Sequence, residues 1–140
     1  MTGKKRIIIG IAVLLILLIL LLCIRKPIFS NSVDKIVLKT YSHSYTPGNT
    51  EVVLNPEEVQ KVILLYNLRG IGGEITSEPC CDIYWLEICF TDGTQIRISE
   101  CNDKDQLHVE PVSGERYCTH SRALVSFILE LIEQYDMVCD

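Results

Sequence analysis

The sequence lacks the short motifs that identify common enzymes and metal sites. It contains no G-x-S-x-G, no H-E-x-x-H and no glycine-rich loop that ends in Gly-Lys-Ser/Thr. It also has no C-x-x-C pair, and neither the C-x2-4-C nor the H-x3-5-H spacing of structural zinc sites. There are only three histidines, and the carboxylates are scattered. We therefore expect neither an enzyme nor a bound cofactor.

Acidic residues are missing from the first 26 positions, which hold five of the 13 Lys and Arg residues. Residues 7–24 form a run of 18 uncharged residues between the basic residues 4–6 and 25–26. At about 1.5 Å per helical residue the run is roughly 27 Å long, close to the thickness of a bilayer's hydrocarbon core. The run therefore predicts a transmembrane helix.

Three other interpretations of this run are open. A cleaved signal peptide would have a shorter apolar stretch and a small-x-small cleavage site, which is missing before Arg25. A lipoprotein signal would place a small residue before the modified cysteine, whereas Leu22 precedes Cys23. A buried core helix is the third alternative. The length of the run favours an uncleaved anchor.

The basic residues also predict an orientation. Three basic residues and the amino terminus on one side outweigh two on the other, so the amino terminus is expected in the cytoplasm. Residues 27–140 carry a net charge of 8 − 18 = −10. Such an acidic region repels phosphate groups, so nucleic acid is not an expected partner. We predict a single-pass protein of the cell membrane with its domain outside.

The chain divides into a basic tail (1–6), the span (7–24), a linker (25–34) and one domain (35–140). The domain is large enough for one core. Periodicity and turn residues predict these elements: strands 35–40 and 51–54, a helix 56–69, a hairpin of 82–90 and 94–99, a strand 107–112, an edge segment 115–118 and a helix 122–137. We predict an α+β fold in which both helices pack on one face of a mostly antiparallel sheet.

Local signals give the helix ends. Asn55 is a suitable cap and Pro56 suits the first helical position. Gly70 is expected in the left-handed conformation that often ends a helix. Ser121 is the predicted cap of the final helix.

The register of the central hairpin follows from its side chains. A three-residue loop with Gly93 in the left-handed conformation places Ile88 opposite Ile96 and Leu86 opposite Ile98. A two-residue turn would instead mix apolar and polar side chains on each face. The predicted core face comprises Tyr84, Leu86, Ile88, Phe90, Ile96 and Ile98.

The other face of the hairpin carries Trp85, Glu87 and Arg97, with Glu87 opposite Arg97. We predict that this face is partly open. Trp85 either packs under a loop or contacts a partner. These three residues are our candidate contact face. His108, on a later strand, is predicted to be a surface or hydrogen-bonded residue.

Six cysteines follow the span: 80, 81, 89, 101, 118 and 139. In an oxidising compartment an even number suggests disulfides. The hairpin register extends to place Cys101 diagonally near Cys81, so this is the preferred candidate bridge. Cys118 and Cys139 are alternative partners for Cys80. Free buried thiols, or a metal set of Cys80, Cys81, Cys101, Cys118 and His120, are the alternatives.

The layout of the whole chain supports a loose resemblance. A basic tail, one span, an NPEEVQKVILLYNL helix, a DGT hairpin and a terminal amphipathic helix are similar to small membrane-anchored proteins of unknown function from Gram-positive, clostridial-type bacteria. The resemblance implies an exported domain and supplies no site residues.

These patterns lead to one principal hypothesis. The protein is expected to be a membrane-tethered, non-enzymatic domain outside the cytoplasm that binds a protein, peptide or envelope component through the Trp85, Glu87 and Arg97 face. The alternative is a cysteine-based metal-binding or redox-responsive module.

Overall fold

The predicted α+β architecture is confirmed in the computed structural model, which describes residues 3–41, 49–70, 83–100, 106–111 and 116–138. Two helices and a sheet follow an N-terminal helix. The elements are α1 (Gly3–Arg25), a 3-10 turn (Ser30–Ser32), β1 (Val33–Thr40), β2 (Glu51–Val53), α2 (Pro56–Asn67), β3 (Tyr84–Phe90), β4 (Gln95–Glu100), β5 (Gln106–Pro111), β6 (Tyr117–His120) and α3 (Arg122–Gln134). The six strands form one sheet in the order β2-β1-β3-β4-β5-β6, and each neighbouring pair is antiparallel.

Helix α1 is the one described helix that is long and apolar enough to cross a membrane. The candidate span is Gly3–Cys23, and none of it is buried in the protein. The helix ends where the Lys26 N–H donates to the Leu22 carbonyl over 3.0 Å and Lys26 takes a left-handed φ of 44°. Length and composition make α1 a candidate membrane anchor or signal sequence.

The predicted hairpin register is confirmed. Ile88 lies opposite Ile96, Leu86 opposite Ile98 and Glu87 opposite Arg97. Gly93 has a φ of 85°, the left-handed conformation that a residue without Cβ adopts at low cost. Because side chains alternate across a strand, this register places Leu86, Ile88 and Ile98 on one face, and all three are fully buried.

The core lies between this face of the sheet and the two helices α2 and α3. Helix α2 contributes Val62, Ile63 and Tyr66. Helix α3 contributes five residues, namely Leu124, Val125, Phe127, Ile128 and Leu131. Both helices begin at their predicted caps, since Asn55 accepts hydrogen bonds from two backbone N–H groups of α2 and Ser121 accepts one from the Leu124 N–H.

Glu58 joins the start of α2 to the end of α3. Its carboxylate accepts from the Asn55 N–H over 2.9 Å, which completes a capping box. It also accepts from Gln134 Nε2 over 3.1 Å and from the Tyr135 hydroxyl over 2.9 Å. The hydrogen bond with Glu58 raises the pKa of Tyr135, because the hydroxyl donates to a carboxylate. A buried glutamate thus holds the two helices in one register.

Asn67, the last residue of α2, binds the segment that follows α1. Its Oδ1 accepts from the Ile28 N–H over 2.8 Å, and its Nδ2 donates to the Ile28 carbonyl over 2.7 Å. Ile28 is buried and belongs to the core. Packing of the domain therefore begins three residues after the end of α1.

Two helix ends differ from the prediction. The prediction that Gly70 takes the left-handed conformation is wrong, because its φ is not positive. Helix α2 already ends at Asn67, with Leu68 as its cap. The Gly70 N–H instead donates to the His120 carbonyl over 2.8 Å, and this contact with β6 sets its backbone. Helix α3 ends at Gln134, three residues before the predicted end.

Candidate functional site

The candidate contact face lies on the side of the sheet opposite the helices. Strand alternation directs Trp85, Glu87 and Arg97 to this side, since their chain neighbours Leu86 and Ile98 are in the core. The three side chains are half-buried. The structure therefore brings the three predicted residues together on one surface.

These three side chains contact one another. Trp85 Nε1 donates to Glu87 Oε1 over 3.1 Å. The Arg97 guanidinium carbon lies 4.3 Å from the centroid of the Trp85 ring, a cation–π distance. The indole is thus held from its edge by a carboxylate and from its face by a guanidinium. Such a cluster has little side-chain freedom left to lose when a partner binds.

Charges alternate in sign across this face, a pattern that sequence reasoning missed. In strand order the alternating charges are Glu51 on β2, Lys39 on β1, Glu87 on β3, Arg97 on β4, Glu110 on β5 and Arg116 just before β6. Lys35, opposite Cys89, is an additional exposed cation on this face. Lys39 Nζ lies 2.9 Å from Glu87 Oε2 and 3.7 Å from Glu51 Oε2. Arg97 lies opposite Glu110, which pairs with Arg116. The face is close to neutral although the domain is acidic.

The protonation of Glu87 reflects this arrangement. Partial burial acts to raise the pKa of Glu87, but hydrogen bonds from Lys39 and Trp85, with the charges of Lys39 and Arg97, outweigh it. The pKa of Glu87 is therefore lowered. The hydrogen bond with Glu87 raises the pKa of Lys39, against partial desolvation. Both groups are charged at neutral pH.

Among the described residues, three on this face are buried. Val37 is 3% exposed, Ser99 1% and His108 2%. His108 is not a surface residue, contrary to one of its two predicted environments. It lies on β5 between Ser99 of β4 and Cys118 of β6. Its Nε2 is buried without a hydrogen-bond partner among the described residues.

The candidate metal and disulfide residues are placed only in part. Cys118 and His120 lie two residues apart on β6, and Cys118 is opposite His108. Within the described ranges, no three His, Cys, Asp or Glu side chains are close enough together to hold a metal ion. Cys80, Cys81, Cys101 and Cys139 lie outside the described residues, so the candidate Cys81–Cys101 bridge stays a prediction.

Comparison with known proteins adds no assignment. No protein-family model matches the chain, and neither a curated protein nor a solved structure matches it significantly. The resemblance to clostridial-type membrane-anchored proteins therefore stays a prediction.

Proposed function

We propose that this protein is a single-pass, membrane-tethered domain outside the cytoplasm that is not an enzyme and binds a protein, peptide or envelope component. The surface is the Trp85, Glu87 and Arg97 face. The observation that carries the proposal is the Trp85 side chain, half-buried and held by Glu87 and Arg97. Tryptophan and arginine in such arrangements are the residues that most often dominate binding energy.

The edges of the sheet favour a face rather than an edge as the binding surface. A peptide that adds a strand needs a long edge with free backbone groups. Strand β2 has three residues and β6 has four. On β6, the His120 carbonyl already accepts from the Gly70 N–H. Both edges are therefore poor templates for a further strand.

The near-neutral charge of the face also bears on the partner. A partner need not be strongly cationic to approach, because each carboxylate here is beside a cation. Trp85 supplies apolar contact area. The paired charges around it can bind a partner that has polar groups in matching positions. We infer a partner with an apolar anchor and a mixed polar surround.

The topology is tested by adding one exposed thiol at a time. Gln60→Cys lies on an exposed position of α2, and Lys5→Cys lies among the basic residues before the uncharged run 7–24. A membrane-impermeant maleimide applied to intact cells is expected to label Gln60→Cys above the wild-type level, and Lys5→Cys only after lysis. The reverse pattern would place the domain in the cytoplasm and overturn this part of the proposal.

The binding surface is tested by photo-crosslinking in the same cells. A photoreactive residue replaces Gln95, which is exposed and opposite Cys89 on this face, and in a matched control it replaces Gln60 on α2. We expect a discrete crosslinked species from Gln95 only, lost when Trp85→Ala is added. The same species from both positions, or survival of the Gln95 species in Trp85→Ala, would contradict the proposed surface.

A cysteine-based metal or redox module is the second candidate. The observation that favours it is His108, buried opposite Cys118 with Nε2 unpartnered among the described residues. Elemental analysis of the purified full chain would test it. A stoichiometric metal that is lost in His108→Ala and retained in His43→Ala would support this candidate over the first.

A further inference from the structure

The segment between α1 and the domain is too short to let the domain move far from the end of the span. Ile28 lies three residues after Arg25, the last residue of α1. Fully extended, three residues reach at most about 10 Å. The Ile28 backbone is held by both polar atoms of the Asn67 side chain. The C-terminal turn of α2 is therefore fixed close to the point where the span ends.

Three large apolar side chains are exposed in this region. Phe29 follows Ile28 and is 60% exposed, while Leu68 follows Asn67 and is 65% exposed. Leu64, one turn before Leu68 on the same side of α2, is 57% exposed. We call Phe29, Leu64 and Leu68 the anchor-side patch. The hydrogen bonds between Ile28 and Asn67 bring the two chain segments together, and a contiguous set of exposed apolar residues marks an interaction surface.

The patch is held rigidly by its surroundings. The Tyr66 hydroxyl lies 2.7 Å from the Tyr117 hydroxyl of β6, and Arg69 is buried with its guanidinium 3.9 Å from the Tyr66 ring. Thr119 Oγ1 donates to the Gly70 carbonyl over 3.2 Å. These contacts fix the end of α2 to the sheet, with Leu64 and Leu68 on its exposed side.

We propose that the anchor-side patch inserts into the outer boundary of the lipid bilayer in which α1 is embedded. This inference rests on the proposed role of α1 as an uncleaved anchor. The membrane is the occupant because the chain itself delivers the patch to the bilayer surface. The contact is apolar in origin, because residues 27–140 carry eight basic and 18 acidic residues and gain nothing from anionic lipid. The domain then rests on the membrane in one orientation and presents its other surfaces to partners.

The test uses the full chain in phosphatidylcholine vesicles with or without bromine on the acyl chains, which quenches nearby tryptophan. The native Trp85 is replaced by Phe, and one tryptophan is introduced at a time. Phe29→Trp reports on the patch. Tyr41→Trp is the matched control, an aromatic residue that is 50% exposed and follows the last residue of β1, eight residues and roughly 26 Å from Val33. Ile16→Trp, in the middle of α1, reports whether the span is inserted.

We expect strong quenching of Ile16→Trp and severalfold more quenching of Phe29→Trp than of Tyr41→Trp. Leu68→Trp should behave like Phe29→Trp and replaces it if that variant does not fold. If Trp85→Phe does not fold, the same tryptophans are introduced into the wild-type chain, and the fluorescence quenched in excess of wild type is measured.

The failure of each proposal has its own signature. Unquenched Ile16→Trp would overturn the anchor, and with it the proposed function. Quenched Ile16→Trp with equal, weak quenching at positions 29 and 41 would overturn the patch proposal alone. A blue-shifted but unquenched Phe29→Trp would show that protein, and not lipid, covers the patch, and would also overturn it.

Discussion

Replacing Glu58 by alanine should destabilise the domain far more than replacing its neighbour Glu57. Glu58 is 8% exposed and accepts hydrogen bonds from the Asn55 backbone, Gln134 and Tyr135. Glu57 is exposed and lies in the same first turn of α2. The two variants remove the same charge from the same end of the same helix. Their difference therefore isolates the buried contacts.

The expected magnitude follows from these contacts. Loss of a capping interaction costs about 1 kcal/mol. A hydrogen bond to a charged group contributes about 1.5–3 kcal/mol, and the bonds from Gln134 and Tyr135 together contribute only about the low end of that range, because both donors are partly exposed. Alanine offsets a small part, because it is the better helix former. For Glu58→Ala we expect a loss of about 2–3 kcal/mol of unfolding free energy, or a fall in Tm of roughly 10 °C or more for a domain near 100 residues.

The assay is thermal and urea unfolding of the full chain in detergent, followed by the fluorescence of Trp85. Glu57→Ala should cost no more than about 1 kcal/mol, through the helix dipole alone. A double-mutant cycle with Tyr135→Phe should show that the two losses are not additive, because both substitutions remove the same hydrogen bond. Equal destabilisation by Glu58→Ala and Glu57→Ala, or no coupling between Glu58 and Tyr135, would refute the reasoning.

Three further predictions concern the sheet, the hairpin and the tether. The lowered pKa of Glu87 stabilises the folded state at pH values above the unfolded-state pKa of about 4.3, and this contribution disappears as the pH falls through the folded-state pKa. Glu87→Gln should therefore lose less unfolding free energy than wild type between neutral pH and pH 3. If urea unfolding gives parallel dependences of unfolding free energy on pH for the two proteins, this prediction is contradicted. Gly93→Ala should cost about 1 kcal/mol because of its φ of 85°, measured by the same unfolding assay, and a neutral effect would show that the turn adapts. Asn67→Ala should lower the unfolding free energy by about 2 kcal/mol and expose the segment after α1 to protease, because the Ile28 N–H and carbonyl both lose their partner. If the variant resists protease as well as wild type does, Ile28 is held by its burial alone.

Local features of this protein could be derived from the sequence. The caps at Asn55 and Ser121 depend on side chains that reach only a few residues along the chain. The register of β3 and β4 depends on a short loop at Gly93 and on matching apolar faces, and both are contained in one stretch of sequence. The same register places Trp85, Glu87 and Arg97 on one face, because side chains alternate along each strand. The apolar run of α1 follows from length and composition alone.

The remaining features depend on elements that are distant in the chain. The bond from Tyr135 to Glu58 joins residues 77 apart, and those between Ile28 and Asn67 join residues 39 apart. The pairing of Lys39 with Glu87 requires β1 to lie beside β3, a neighbour that periodicity does not specify. Gly70 departs from its usual role at a helix end because β6 offers its backbone a hydrogen bond. Sequence alone determined the elements and their local registers, since each is set by neighbours within a few residues; only the tertiary structure decided which elements meet, because that choice belongs to the packing of the whole core.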